Sequence, residues 1–253
     1  MSAASFLTAQ WRNLVLRNYE IDPALLRSQV PSGTELDFWH GRTFVSLVGF
    51  QFLDTRLLGV GIPFHRNFPE VNLRFYVRHR AADGWHRGVV FLKEIVPRTA
   101  VTLVARWSYN ENYVTLPMSH SVELPSPHND QRGAVGYSWK WAGGKCELSA
   151  TMRGEPSPLL SESEAEFITE HYWGYTRQRD GSTLEYAVEH PSWRVWPADE
   201  SRFEGNVATL YGPEFASILA GQPSSSFVAE GSEIVVRQGR PTRIGSGQSP
   251  FSK

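Results

Sequence analysis

Glu70, Asn72 and Arg74 follow one another at two-residue intervals in Phe68-Pro69-Glu70-Val71-Asn72-Leu73-Arg74-Phe75-Tyr76-Val77-Arg78. In an extended strand this spacing puts them on one face with Tyr76 and Arg78, and puts Val71, Leu73, Phe75 and Val77 on the other. A carboxylate, an amide and a guanidinium converging from one face can hold a small polar ligand. The guanidinium would clamp an anionic group bidentately, and Glu70 would orient it or exchange a proton. The same alternation also describes an outer sheet face laced by cross-strand ion pairs. Arg106 lies in the apolar run Val104-Ala105-Arg106-Trp107; if buried it needs an acidic partner, for which Glu70 or a ligand carboxylate would serve. In Glu189-His190-Pro191 a carboxylate adjoins an imidazole, but neighbours on a strand face opposite ways. His190 is therefore an acid–base candidate in its own right, or a surface histidine at a strand end.

Other chemistries lack their signatures. There is no Gly-x-Ser-x-Gly elbow, and Cys146, the single cysteine, falls in a hairpin pattern with no nucleophile context. The eight histidines occur singly and no His-Glu-x-x-His is present, so no native metal and no cofactor is expected. Gly59-Val60-Gly61-Ile62 lacks the later glycine and the helix of a phosphate-cradling loop.

The elements that must position these groups are mostly strands. Residues 11–19 read as a first strand, and Asp22-Pro23 opens a short helix over 24–29, Asp being a good N-cap and Pro suiting the first turn. Residues 36–39 and 43–53 read as a hairpin turning at His40-Gly41. The second of these strands is apolar at nearly every position and is expected to be covered on both faces. Residues 57–67 form a glycine-rich apolar loop, a lid or a turn packed on the core. A strand over 88–95 follows the Glu70 strand after the turn Asp83-Gly84. Residues 97–110 fit a buried helix beginning at Pro97, while their four β-branched residues suit a strand. Residues 113–124 are expected to be extended, 134–142 and 145–153 to form a hairpin, and Ser161-Glu162-Ser163-Glu164 to open a helix to about 170. A second hairpin spans 171–178 and 183–190, a helix covers 213–221, and a last strand 227–238. No internal repeat or linker divides the 253 residues, so a single β domain over 1–240 with a loose tail over 241–253 is expected.

An apolar fraction of 41% with fourteen Phe and nine Trp is ample for a core and favours sheets. A net charge of −1 supplies no basic surface for nucleic acid or anionic membrane. One cysteine allows no intrachain disulfide, and no stretch has the length of a transmembrane span or the pattern of a signal peptide, so a soluble cytoplasmic protein is expected.

Several segments carry a resemblance. Trp11-Arg12-Asn13-Leu14, the Asp22-Pro23 helix ending in Val30-Pro31, the strand from Phe68 to Val77, Ala105-Arg106 followed by Tyr113, Phe167-Ile168-Thr169-Glu170-His171-Tyr172, Tyr175-Thr176-Arg177 and His190-Pro191-Ser192-Trp193 resemble the YqjF-like family of uncharacterised bacterial proteins, distant relatives of acetoacetate decarboxylase. The resemblance spans about residues 5–240 and implies a mainly β fold: a large antiparallel barrel-like sheet with a central cavity and a few peripheral helices. For residues 97–110 it points to the helix. A decarboxylase of that kind forms a Schiff base on a lysine, and an adjacent cation lowers the pKa of that lysine so that its neutral amine can attack. At the corresponding place this sequence has Tyr113-Val114 and no lysine. Glu70 matches the decarboxylase glutamate near the reacting centre, and Glu20 stands where the decarboxylase has an arginine before its first Asp-Pro. Lys93 is the one lysine on a core strand that could substitute.

The expectation is thus a cavity for a small carboxylated or keto-bearing molecule, lined by Glu70, Asn72, Arg74, Arg106, Tyr113 and His190. The alternative is an enzyme, a lyase or hydrolase acting on a small organic acid, with Glu70 and His190 as acid–base groups. A scaffold whose polar strand face pairs only with itself is a third reading. Association with copies of the chain is compatible with all three.

Overall fold

The computed structural model of the protein describes residues 4–100, 102, 110–142 and 144–242. Its backbone is a large, mostly antiparallel sheet with a second, four-stranded sheet beside it. In chain order the strands of the large sheet that matter here are β1 (Ser5–Ile21), β2 (Thr34–Leu36), β3 (Thr43–Leu57), β4 (Phe68–Ala81), β5 (Gly84–Val96) and β6 (Tyr113–Thr115). The four-stranded sheet is made by β7 (Met118–Glu123), β8 (Arg132–Trp141), β9 (Gly144–Arg153) and, later in the chain, the strand Glu200–Glu204. The large sheet is completed by Ser157–Pro158 (β10), Trp173–Arg177 (β11), Thr183–Glu189 (β12), Arg194–Pro197 (β13), Ser225–Arg237 (β15) and Arg240–Pro241 (β16), the strand Glu200–Glu204 counting as β14.

The large sheet closes on itself. Its path runs β15-β1-β3-β4-β5-β11-β12, and β12 pairs back onto β15 at Val188↔Val236 and Glu189↔Val235. Closure removes the exposed edges that a flat sheet would offer and encloses an interior. The bend that closure requires has a local cause. Against β3, β1 bulges between Arg12 and Val15, with Asn13 at a φ of 57°. Opposite Arg12, Gly231 adopts a φ of 77° and packs so tightly that an added Cβ would lie 2.0 Å from the Trp11 carbonyl oxygen.

Two cores result, and β4 serves both. Val71, Leu73, Phe75 and Val77 join Val135, Tyr137, Trp139 and Leu148 of the four-stranded sheet in one buried cluster. Phe50, Phe52, Phe68 and Tyr76 belong to a second cluster with Trp193 and Phe227. The solvated outer face that alternation usually signals is absent from β4, which is buried from Phe68 to Val77. Tyr76, on the polar face, is satisfied internally: its hydroxyl lies 2.6 Å from Ser46 Oγ, which in turn donates to Asn18 Oδ1 at 2.7 Å. Beyond Val77 the strand emerges, with Arg78 pairing with Glu35 and Arg80 exposed.

Most expected elements form. Asp22 Oδ1 accepts from Ala24 N at 2.8 Å and caps the helix Pro23–Leu26 (α1), continued by a 3-10 turn to Gln29. The hairpins β8/β9 and β11/β12 and the helix Pro213–Leu219 stand where the pattern puts them. The helix Glu164–Thr169 (α2) starts later than the Ser161 pattern implies, because Ser163 is the residue whose side chain accepts from Glu166 N. The expected hairpin of 36–39 with 43–53 is reduced to a bridge between Trp39 and Arg42, and β2 pairs with β4 instead. The changed pairing carries Asp37 to the site described below. Of the helix expected over 97–110, Thr99, Ala100 and Thr102 are helical, while 101 and 103–109 lie outside the described residues. Pro241, expected to begin a loose tail, pairs with Leu184 of β12, next to the Arg240–Glu185 pair. No described helix is long and apolar enough to cross a membrane.

Gly231→Ala is expected to destabilise the protein by about 2 kcal/mol or more, since a side chain is forced both into a left-handed backbone and against a carbonyl. A lowered urea midpoint is the readout; an unchanged midpoint contradicts this account of barrel closure.

Candidate functional site

Inside the barrel is a cavity of about 180 Å³. Its walls are largely aromatic and aliphatic, with Trp11, Phe50, Phe52, Phe68, Phe91 and Trp193 prominent. Glu70, Asn72, Arg74, Tyr113 and His190 all line it, so five of the six expected residues meet in one place. Arg106, the sixth, lies outside the described residues.

The β4 residues reach the interior because their apolar neighbours are claimed by the four-stranded sheet. Glu70 is 2% exposed, Asn72 1% and Arg74 7%. Asn72 Nδ2 donates to Glu70 Oε1 at 3.0 Å, and the Tyr113 hydroxyl donates to Glu70 Oε2 at 3.1 Å. Asn72 and Arg74 stand opposite Glu94 and Phe91 of β5, and both of those also line the cavity. A bulge at Leu92 makes this possible, since strict alternation would not turn both Phe91 and Glu94 inward. Lys93, paired with Leu73, lies on the opposite face and is not among the lining residues.

Glu94, Glu111, Tyr186 and His171 join the site without having been expected. Glu94 had one signal, an acid inside the apolar strand Phe91-Leu92-Lys93-Glu94-Ile95. Glu111 had none, its neighbours being the polar residues Asn110 and Asn112. Tyr186 reaches Glu111, its hydroxyl donating to Oε1 at 2.8 Å. It can do so because its partner across the β11/β12 hairpin is Gly174, where an added Cβ would lie 2.1 Å from the Tyr186 ring. His190 stacks on Trp193 with ring centroids 4.3 Å apart, and its Nδ1 lies 2.9 Å from the Pro191 carbonyl oxygen. Glu189 turns the other way and pairs with Arg237, so the two neighbours act separately as strand geometry requires.

Burial sets the protonation of these groups. It pushes the Glu70 carboxyl up to about 7, against the hydrogen bonds of Asn72 and Tyr113 and the nearby Arg74 charge, which pull it down. Burial raises Glu111 to about 8 against the Tyr186 hydrogen bond, with Glu70 adding to the rise. Glu94 is raised well above the usual carboxylate value by burial and by the charges of Glu111 and Glu70. Near neutral pH the cavity thus offers neutral carboxyls that donate, and in Glu70 a carboxyl poised to exchange a proton. His190 is shifted down, chiefly by burial.

Several polar atoms on these buried residues have no hydrogen-bond partner among the described residues: Arg74 Nε, Asn72 Oδ1, Glu94 Oε2 and His171 Nδ1. Unsatisfied buried polar groups are rare in folded proteins, and these four lie around one hollow. No carboxylate of the described residues lies within ion-pair distance of Arg74. No group of three His, Cys, Asp or Glu side chains among the described residues is arranged to hold a metal ion.

The raised carboxyls make stability fall as pH rises. Below about 4.5 Glu111 is protonated in both folded and unfolded chains. Between there and about 8 the unfolded chain ionises while the folded one holds its proton, so stability contributed by the neutral form is lost. Glu111→Gln keeps the acceptor for Tyr186 and removes the ionisation. Its Tm is expected to match the wild type at pH 5 and to exceed it by about 5 °C at pH 8.5. Equal Tm values across that range, by scanning calorimetry, contradict the assignment.

The chain matches the DUF2071 family, "Uncharacterized conserved protein (COG2071)", over residues 8–233. It is 28% identical over 207 residues to the uncharacterized protein YqjF of Bacillus subtilis (strain 168), covering 80% of each. Among solved structures it is similar to acetoacetate decarboxylase from Legionella pneumophila, with a TM-score of 0.64 and 15% identity over 95% of this chain and 88% of that one. It is also similar to the enduracididine biosynthesis enzyme MppR complexed with pyruvate, with a TM-score of 0.65 and 12% identity over 95% of this chain and 91% of that one. At such identities the likeness establishes architecture and leaves chemistry to the lining residues. The chain belongs to the DUF2071 family and has an acetoacetate-decarboxylase-like fold.

Proposed function

We propose that the barrel cavity binds a small organic acid, carboxylated or keto-bearing, with its carboxylate on Arg74 and its apolar body against the aromatic wall. One observation carries this reading: Arg74, only 7% exposed, lines the cavity with Nε unpartnered among the described residues and none of their carboxylates in ion-pair contact. A buried charge without a partner is costly, and an anionic ligand relieves that cost. The neutral carboxyls of Glu94 and Glu111 would donate to a ligand oxygen, which suits a carbonyl beside the carboxylate. The structural relative with pyruvate in its complex supports the same ligand class.

Imine formation is not part of the proposal. The chain has four lysines, and none of the three described ones lines the cavity: Lys93 lies on the strand face opposite to it, Lys140 and Lys145 are exposed, and Lys253 is outside the described residues. A second reading, acid–base catalysis on such an acid, is favoured by Glu70, held at about 7 and hydrogen-bonded to Tyr113 in the same cavity. In that case Glu70→Gln would abolish turnover of the acid and leave its binding in place.

Phenylglyoxylate, which carries an aryl ring, a ketone and a carboxylate, is the probe. Calorimetric titration is expected to show binding that Arg74→Gln weakens by about thirtyfold or more, the scale of a charge-assisted contact in a buried site. Full affinity in that variant contradicts the placement of the anion. Borohydride treatment of the protein with the same acid is expected to leave its mass unchanged by mass spectrometry; a reduced adduct on Lys93 would restore imine chemistry.

A further inference from the structure

His171 belongs to a hydrogen-bonded chain that the organic-acid reading leaves unused. It follows α2, which is anchored by buried Phe167 and Ile168, and its ring packs 4.7 Å from Tyr76 and 5.2 Å from Phe167. Its Nε2 lies 3.2 Å from Asp37 Oδ2, and the same oxygen accepts from Arg87 Nε at 2.6 Å. Asp37 is placed there by the pairing of β2 on β4, with its backbone N–H bonded to the Tyr76 carbonyl. Burial works to raise the Asp37 carboxyl, but the hydrogen bonds of His171 and Arg87 hold it below its usual value, so it is ionised. Burial drives the His171 imidazole down to about 4 despite Asp37, so it is neutral at pH 7.

A neutral imidazole has one N–H and one lone pair. Asp37, an ionised carboxylate, can only accept, so the proton is on Nε2 and Nδ1 is left as an acceptor. Nδ1 is buried without a hydrogen-bond partner among the described residues, in a side chain that lines the cavity, while Asp37 does not line it. Asn72 Oδ1 is a second unpartnered acceptor on the same lining, its amide nitrogen being spent on Glu70. A pure keto acid brings only acceptors and leaves both unsatisfied.

We infer that His171 Nδ1 accepts a hydrogen bond from a hydroxyl of the ligand, so that the cavity selects a 2-hydroxy acid, or the enol of a keto acid, over the keto form. This rests on the organic-acid reading of the same cavity and specifies the group beside the carboxylate. His171 sets specificity by direct contact, and Asp37 with Arg87 positions it by fixing the tautomer. A site built around an acceptor rejects a ligand that lacks the matching donor, because burying the unpaired nitrogen is costly.

The test compares mandelate with phenylglyoxylate, which differ only in hydroxyl against ketone, by calorimetry on four proteins. The wild type is expected to bind one enantiomer of mandelate at least about tenfold more tightly than phenylglyoxylate. In His171→Phe the two acids become equal. In Asp37→Asn the amide oxygen can take the place of Oδ2 and accept from both Arg87 Nε and His171 Nε2, so the tautomer and the preference for mandelate are kept, and loss of that preference there contradicts the tautomer assignment. A merely structural histidine would weaken both acids alike in His171→Phe and leave their ratio unchanged. Arg74→Gln is expected to weaken both acids equally. Equal affinities in the wild type, still lost in Arg74→Gln, overturn the hydroxyl assignment alone. So does a preference that survives in His171→Phe. Binding of neither acid to the wild type overturns the organic-acid reading and this inference with it. Should Asp37→Asn fail to fold by circular dichroism, His171→Phe against the wild type decides.

Discussion

β4 is covered on both faces, and the two covers differ in kind. On one side the four-stranded sheet packs onto Val71, Leu73, Phe75 and Val77. On the other, the closed barrel surrounds Glu70, Asn72 and Arg74 without neutralising all of them. Removing charged and amide groups from water is unfavourable unless their hydrogen bonds are met inside. The protein meets part of that demand with its own chain, through the links Asn72–Glu70–Tyr113, Glu111–Tyr186 and His171–Asp37–Arg87. A further part is met by protonation, since burial lifts Glu70, Glu94 and Glu111 toward or past neutral pH. Among what remains are Arg74 Nε, Asn72 Oδ1, Glu94 Oε2 and His171 Nδ1, which a ligand is proposed to satisfy.

Much of this was legible in the sequence because β4 writes both faces in period two. The strict alternation from Glu70 to Val77 put Glu70, Asn72 and Arg74 on the face that lines the cavity, and the apolar fraction and paired strands pointed to a mainly β fold. What alternation alone left open was which face looks outward, because that depends on the four-stranded sheet, whose hairpin lies far along the chain. Other parts escaped for local reasons. The bulge at Leu92 breaks the period on β5, so Glu94 was not counted with the site. Asp37 was read into a hairpin with β3, because the turn residues His40-Gly41 are a strong short-range signal. The long-range pairing of β2 with β4 prevailed and carried Asp37 toward His171. His171 was part of a recognised motif but carried no spacing that singled it out. Its role is visible only once strands separated by more than a hundred residues are brought together.

The fold shared with acetoacetate decarboxylase and MppR supplies a barrel with a hollow interior, and at 12–15% identity it supplies no more than that. The lining of this chain holds three buried carboxyls, one arginine without an ionic partner among the described residues, and an imidazole hydrogen-bonded from behind by Asp37. The loop 58–67 fits the same picture. Leu57, Ile62 and His65 border the cavity while Phe64 is 86% exposed, so this apolar loop meets the hollow on one side and water on the other.

The central claim is that Arg74 waits inside the barrel for an anion. The most direct measurement is a crystal structure of the protein grown with phenylglyoxylate. The account predicts the carboxylate within hydrogen-bonding distance of Arg74 and the aryl ring against Trp11 and Phe50. A barrel interior without the acid, with Arg74 swung onto Glu70 as an internal ion pair, would contradict it.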